Sequence, residues 1–207
     1  MVKRSLLLLL VLLLFCPKGW AEEGSSRPAP KLQVEWGLAL GGGYWFYNTP
    51  TEVSDLKCAM GWQAGISTAL VWGRWALQPE IRYARHRLDI TPAPEADKIE
   101  VKSNAIEIPI LLSWRPTERW RLLAGPMITA LNSCKQQNDE GLTFDLGHVR
   151  PTIGYTVGVG FKLSKRLLIE ARYVGNFSRV ESVLWEGGPE LKLKGNSLQL
   201  NLGVVFK

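Results

Sequence analysis

A strict two-residue alternation runs to the end of this chain and limits its fold more than any other feature. Across residues 197–207, Leu198, Leu200, Leu202, Val204 and Phe206 share one face. Ser197, Gln199, Asn201, Gly203 and Lys207 share the other, with Val205 the single exception. A period of two marks a strand with one apolar and one polar side.

Seven further stretches read the same way. In the first, Val34, Trp36, Leu38, Leu40, Tyr44 and Phe46 oppose Gln33, Glu35, Gly37, Ala39, Gly41 and Gly43. The second sets Trp62, Ile66, Leu70 and Trp72 against Gln63, Gly65, Ser67 and Ala69, and the third sets Trp75, Leu77, Ile81 and Tyr83 against Gln78, Glu80, Arg82 and Ala84. In the fourth, Ile106, Ile108, Ile110, Leu112 and Trp114 oppose Ala105, Glu107, Pro109 and Ser113. The fifth, residues 119–131, carries apolar residues on both faces. The sixth sets Ile153, Tyr155, Val157, Val159 and Phe161 against Thr152, Gly154, Thr156, Gly158, Gly160 and Lys162. The seventh sets Leu167, Ile169, Ala171, Tyr173 and Phe177 against Glu170, Arg172 and Asn176. Each is long enough to cross a bilayer as a tilted strand, which takes about 9–11 residues.

The links between them alternate in length. Short turns are expected at Gly73-Arg74, at 115–119 and at 164–166, and long loops at 48–57, 91–98, 133–148 and 181–191. Short turns on one side and long loops on the other is the layout of a membrane barrel, with the long loops outside the cell. An even strand count leaves both termini on the periplasmic side.

The N-terminus fits export. Lys3 and Arg4 precede the apolar run 6–15, which is too short to span a bilayer as a helix, and Gly19-Trp20-Ala21 places small residues before a cleavage after Ala21. Cys16 would be the lipidated residue of a lipoprotein, but bulky Phe15 stands where such sites need a small one. Losing the three leader cations Lys3, Arg4 and Lys18 takes the formal charge from +6 to +3, so basicity is no argument for nucleic acid. The domain reading is a signal peptide at 1–21, a Gly/Ser/Pro-containing periplasmic linker at 22–31, and a barrel domain at 32–207.

The distribution of side chains selects membrane over water. A soluble ligand-binding barrel points apolar residues inward. Here nearly every large apolar side chain shares the face opposite Glu35, Gln63, Glu80, Arg82, Glu107, Lys162, Glu170, Arg172 and Gln199. These polar residues, mixed in sign among Gly and Ala, are expected to fill a narrow lumen as a paired network. Trp72, Trp75, Trp114, Trp120, Phe161 and Phe206 stand beside the short turns and form an expected aromatic girdle, with Tyr44, Phe46, Tyr83 and Tyr155 toward the other boundary. The expected fold is all-β: an eight-stranded antiparallel transmembrane β-barrel in an up-and-down meander.

Several motifs then carry a resemblance: Trp36-Gly-Leu-Ala-Leu-Gly-Gly-Gly43, Ile106-Glu-Ile-Pro-Ile-Leu-Leu112, Leu123-Ala-Gly-Pro126, the Gly-rich stretch 154–160, Ile169-Glu-Ala-Arg-Tyr173 and the final strand. In this order and spacing the chain resembles the PorT-like outer-membrane β-barrel family of Bacteroidota over about residues 33–207. The resemblance implies fold and location, and for some relatives a part in secretion-system assembly. It carries over no functional residues, because the shared motifs are strand geometry. Lys207 after the terminal aromatic departs from the family pattern. Pro109 and Pro126 are expected at bulges or other breaks in pairing.

Candidate sites are sparse. Cys58 and Cys134 fall at long-loop ends in an oxidising compartment and are a candidate disulfide, with free thiols the alternative because two strands intervene. Arg85, Arg87 and Arg150 are candidate contacts for lipopolysaccharide phosphates, against plain solubility of loop margins. For catalysis, only His86 and His148 are available as imidazole bases, and Ser133 and Asp145 share a loop with His148 without a spacing that demands a triad. Asp139, Glu140 and Asp145 match no metal-loop pattern, so no metal or cofactor is expected. The expected partners are outer-membrane lipid, lipopolysaccharide and, during insertion, the barrel-assembly machinery. The expected function is non-enzymatic, exerted by the extracellular loops in adhesion, envelope integrity or secretion assembly. A small pore or solute conduit is the second reading, and a lipid A-modifying barrel enzyme the third.

Overall fold

The computed structural model describes residues 32–48, 55–57, 59–91, 99–137, 143–148, 151–177, 180–183 and 190–206. Eight long strands form the wall: β1 (Gln33–Asn48), β3 (Ala59–Trp72), β4 (Trp75–Thr91), β5 (Ile99–Trp114), β6 (Trp120–Gln137), β8 (Thr152–Lys162), β9 (Leu167–Asn176) and β11 (Glu190–Phe206). Each pairs antiparallel with the next along the chain, and β1 pairs with β11 to close the ring. Closure satisfies every strand edge within the wall, the condition for spanning lipid with strands. Among the described residues there is no helix.

Three short strands extend the wall at the long-loop end: β2 (Asp55–Lys57) on β4, β7 (Thr143–His148) on β6, and β10 (Val180–Val183) on β11. The fifth wall strand therefore reaches Gln137, beyond the residue-131 limit read from the sequence, and the segment expected to be wholly loop carries β7. Pairing with a returning strand extends β6 where its own alternation does not.

The wall is inside-out relative to a soluble protein. Leu40, Ile66, Ile153, Leu200 and Leu202 are each more than half exposed on its outer surface, while Glu80, Arg82, Glu170 and Arg172 are at most 5% exposed inside. In water this arrangement would forfeit most of the hydrophobic driving force, at roughly 25 cal/mol per Å² of apolar surface left wet. Against lipid tails it does not.

Aromatic rings bound the apolar band. Trp75 packs on Trp114 at 6.3 Å and Trp120 on Phe161 at 4.8 Å near the short turns, where Trp36 also pairs in register with Phe206. Toward the loops, Trp62 meets Tyr83 at 5.5 Å and Tyr155 meets Phe177 at 5.1 Å. From Trp36 to Tyr44, or Trp75 to Tyr83, is eight residues. At about 3.3 Å each and a tilt of about 40° this is about 20 Å of height, matching an apolar band about 25 Å tall.

Local chemistry explains the irregularities. Gly73 has φ of 59° and begins the two-residue turn between Trp72 and Trp75, a position where a tight hairpin takes glycine. Pairing lapses at Pro79 between β3 and β4, at Pro109 between β4 and β5, and at Pro126 between β5 and β6. Each proline lacks the N–H its ladder needs, yet register is unchanged across each gap. Pro109 and Pro126 thus mark breaks rather than bulges. The bulge lies elsewhere: Ile106 pairs Leu131 but Glu107 pairs Thr129, so Ala130 is the extra residue. One extra residue reverses the alternation from there on.

Candidate functional site

The inward-facing residues build the interior in tiers. Nearest the short turns, Arg115 reaches up from the second turn and its Nη2 donates to Glu35 Oε2 at 2.8 Å. Above them stands Arg172 on β9. Its Nη1 and Nη2 donate to Glu80 Oε2 and Oε1 at 2.7 and 2.8 Å, and Nη2 also donates to Glu170 Oε2 at 2.6 Å. Glu170 accepts a second guanidinium, Arg121 of β6, and Gln78 Nε2 donates to Glu80 Oε1 at 2.6 Å. In the ring of eight, β4 and β9 lie four strands apart. The Arg172–Glu80 fork therefore crosses the lumen.

The next tier is a second crossing. Arg82 Nη2 donates to Gln199 Oε1 at 2.8 Å and more weakly to Asn201 Oδ1 at 3.4 Å. Gln63 Nε2 donates to Asn201 Oδ1 at 2.6 Å, and Gln199 Nε2 to Ser197 Oγ at 2.9 Å. Buried Glu107 lies opposite Arg82 in the β4–β5 register. Three guanidinium groups (Arg82, Arg121, Arg172) thus stand with three carboxyl groups (Glu80, Glu107, Glu170), a formal balance of charge. Charges in a low-dielectric site are tolerable only in such a balance.

Apolar side chains fill the rest. Leu111 and Met127 are fully buried, and Thr156 Oγ1 lies 3.9 Å from Met127 Sδ. At the loop end, Trp45 stacks on His86 with ring centroids 5.0 Å apart and planes 9° from parallel. Beside the central network a cavity of about 30 Å³ lies against Gly37, Ala39, Gly65 and Gly203, room for a water or two. The far larger space, about 1040 Å³, opens at the short-turn mouth.

Glu35, Gln63, Glu80, Arg82, Glu107, Glu170 and Arg172 all lie buried on the inward face. Lys162 is half-buried and lines the short-turn mouth together with Glu35. Sequence reasoning missed Arg115, Arg121, Trp45 and His86 as interior residues, while Asn201 lies buried on the polar face the alternation gave it. Trp45 shares the phase of Glu35 and Gly43, and His86 that of Arg82 and Ala84, so both were legible in the alternation. Arg121 was hidden because Leu123 and Met127 share its inward face. His86, expected at the loop margin, is a buried ring in the lumen.

Arg85 and Arg87 are exposed on β4, while Arg150 lies outside the described residues. Cys58, Asp139 and Glu140 also lie outside them, and Cys134 sits on β6 opposite Ser103. The β6–β7 register sets Ser133 opposite His148 and Lys135 opposite Asp145. Trp75, Trp114, Trp120 and Phe206 are exposed on the outer face, with Trp72 and Phe161 half-buried beside them.

Comparison with known proteins supports the same architecture. The family model for the outer membrane protein beta-barrel domain matches residues 20–181. The chain is similar to Neisserial surface protein A (NspA), at 14% identity and a TM-score of 0.55 over 82% of this chain and 96% of that one. It is also similar to Ail, the attachment invasion locus protein of Yersinia pestis, in complex with the heparin analogue sucrose octasulfate. That match has 16% identity and a TM-score of 0.53 over 84% of this chain and 99% of Ail. At such identities the likeness is one of fold. No curated protein matches the chain.

Proposed function

This chain belongs to the outer membrane protein beta-barrel domain family, and on that premise we propose a non-enzymatic outer-membrane protein that works through its extracellular loops. Adhesion is the first role we assign to them, with envelope integrity and secretion assembly as related roles. The observation that carries this reading is the filled lumen. Arg172 and Glu80 join opposite walls, and among the described residues this crossing network occupies the middle of the lumen with a cavity of about 30 Å³ beside it. With the interior committed to structure and the outer wall to lipid, the loops are left for recognition. Ail is an attachment protein by name, and its complex with a heparin analogue supports the same kind of work for this chain.

In this reading the leader ends at Ala21, the short turns and both termini face the periplasm, and the barrel-assembly machinery inserts the chain. The motif order supports a PorT-like branch of Bacteroidota within the family. Arg85 and Arg87, exposed above the Trp62–Tyr83 pair, meet lipopolysaccharide phosphates together with Arg150, since guanidinium–phosphate bonds are charge-assisted. Bridging of Cys58 to Cys134 remains part of the proposal for the loop mouth.

The test replaces each long loop (48–57, 91–98, 133–148, 181–191) by a two-residue turn and measures attachment of expressing cells to a host-cell layer. Single-channel conductance of the purified protein is recorded in parallel. Loss of attachment with no conductance is the expected result. Attachment unchanged by every replacement, together with steady open-channel current, would contradict it and favour a conduit.

A further inference from the structure

The short-turn mouth carries a charge pattern that neither adhesion nor the lumen network uses. Six cationic side chains line its 1040 Å³ opening: Arg74, Arg115, Arg119, Lys162, Lys165 and Arg166. Two carboxylates, Glu35 and Glu118, share the lining, so six positive charges against two negative leave a net of four. Arg115 is bonded to Glu35. Arg74, Arg119, Lys165 and Arg166 are exposed and have no ion pair among the described residues.

The rim is rigid. Arg115 N donates to Arg74 O at 2.7 Å, Lys162 N to Arg119 O at 2.8 Å, and Val205 N to Arg166 O at 2.8 Å. Each bond stitches a basic turn residue to the neighbouring strand or turn. Within the turns, Thr117 Oγ1 accepts from Trp120 N at 3.0 Å, and Ser164 Oγ accepts from Leu167 N at 3.0 Å. The cations therefore project from a hydrogen-bonded frame, and the network above adds no net formal charge to offset their field. Like charges concentrated around a concave opening raise the local concentration of an oppositely charged partner.

We propose that this mouth is a binding site for an acidic, extended peptide segment of a periplasmic protein. A concave opening of this volume exceeds what a single phosphate needs and stands at the top of the range of small-ligand pockets, about 300–1,000 Å³. Its cations line the opening itself, which favours a chain entering from the aqueous side over a phospholipid headgroup. Spaced carboxylates along a peptide match cations supplied by three separate turns. The periplasmic origin of the peptide rests on the orientation given above; the affinity for acidic peptide does not.

The test uses the full chain in a neutral detergent and fluorescence anisotropy with labelled hexaglutamate as the probe. Hexaglutamate should bind at least tenfold more tightly than hexaglutamine at low salt, and should weaken as salt shortens the screening length from about 10 Å at 0.1 M to about 3 Å at 1 M. Arg119→Glu with Arg166→Glu should lower its affinity at least tenfold and leave the heat-dependent mobility shift of the folded barrel intact. Should the reversal block assembly, Arg119→Gln with Arg166→Gln reads the same site, with at least threefold loss expected. Arg85→Glu with Arg87→Glu, at the opposite mouth, should leave hexaglutamate binding unchanged. Equal binding of hexaglutamine, or equal loss from reversal at either mouth, would overturn the proposal. So would displacement of hexaglutamate by phosphatidylglycerol micelles at matched charge, which would make the ligand a lipid. Orientation is read separately, with Thr117→Cys in a chain whose native cysteines are serines. Labelling of intact cells by an impermeant maleimide would overturn the periplasmic assignment while leaving the binding result standing.

Discussion

Replacing Arg172 by methionine should destabilise the barrel more than any outward substitution of similar size. Arg172 makes three charge-assisted bonds, two to Glu80 and one to Glu170, among carboxylates only 5% and 2% exposed. Removing the cation leaves both without it in a site with room for little water. Breaking a buried pair from one side costs about 3–5 kcal/mol, because the remaining charge is uncompensated. Glu170 keeps Arg121, so most of the cost falls on Glu80, whose remaining donor is Gln78. Glu80→Gln in the Arg172→Met background should therefore restore about 1–3 kcal/mol, the size of coupling expected between directly bonded residues. Urea unfolding in lipid vesicles, followed by tryptophan fluorescence, measures both. A loss below about 1 kcal/mol for Arg172→Met, or a Glu80→Gln change that adds to the damage, would refute the crossing pair as a strut of the lumen.

Other consequences follow from the wall. Leu40 is 63% exposed and lies between Ala64 and Leu202 in register, so Leu40→Arg should cost about 2–4 kcal/mol in vesicles, as for a cation near the bilayer midplane. On a soluble surface the same change would fall within about 0.5 kcal/mol, and that result would place the outer face in water. At Gly125 a Cβ would run into the Ile110 carbonyl, whereas at Gly42 it would meet only Gly61 O at 3.6 Å. Gly125→Ala should cost about 1–3 kcal/mol in the same unfolding assay, and Gly42→Ala should be close to neutral. Equal effects would contradict the close approach of β6 to β5. Trp75→Ala with Trp114→Ala should lower refolding yield into vesicles, because the packed pair sits at the lipid boundary; an unchanged yield would count against the girdle.

Much of this barrel was legible because a membrane wall writes its two faces directly into a period of two. Leu198, Leu200 and Leu202 against Gln199 and Asn201 give both the phase and the inside-out choice. The alternating lengths of the links give the meander. The fifth wall strand resisted for two physical reasons. Leu123 and Met127 are apolar residues used inside the lumen, and the extra residue Ala130 reverses the phase of everything after it. The pairing partners inside the lumen were illegible for another reason. Arg172 meets Glu80 only because closure sets β9 opposite β4, and alternation says which way a side chain points but not how far around the ring its partner stands. Arg115 belongs to a turn and reaches into the barrel, so no strand pattern could assign it to Glu35. The basic mouth gathers Arg74, Arg119 and Arg166 from turns dozens of residues apart.

The most direct test of a closed membrane-spanning barrel is cell fractionation followed by gel electrophoresis of boiled and unboiled samples. Recovery in the outer membrane, with a mobility shift that appears only on boiling, is the predicted result. Recovery as soluble protein with no shift would contradict it, turning the wall's apolar face inward and making the charged network a surface.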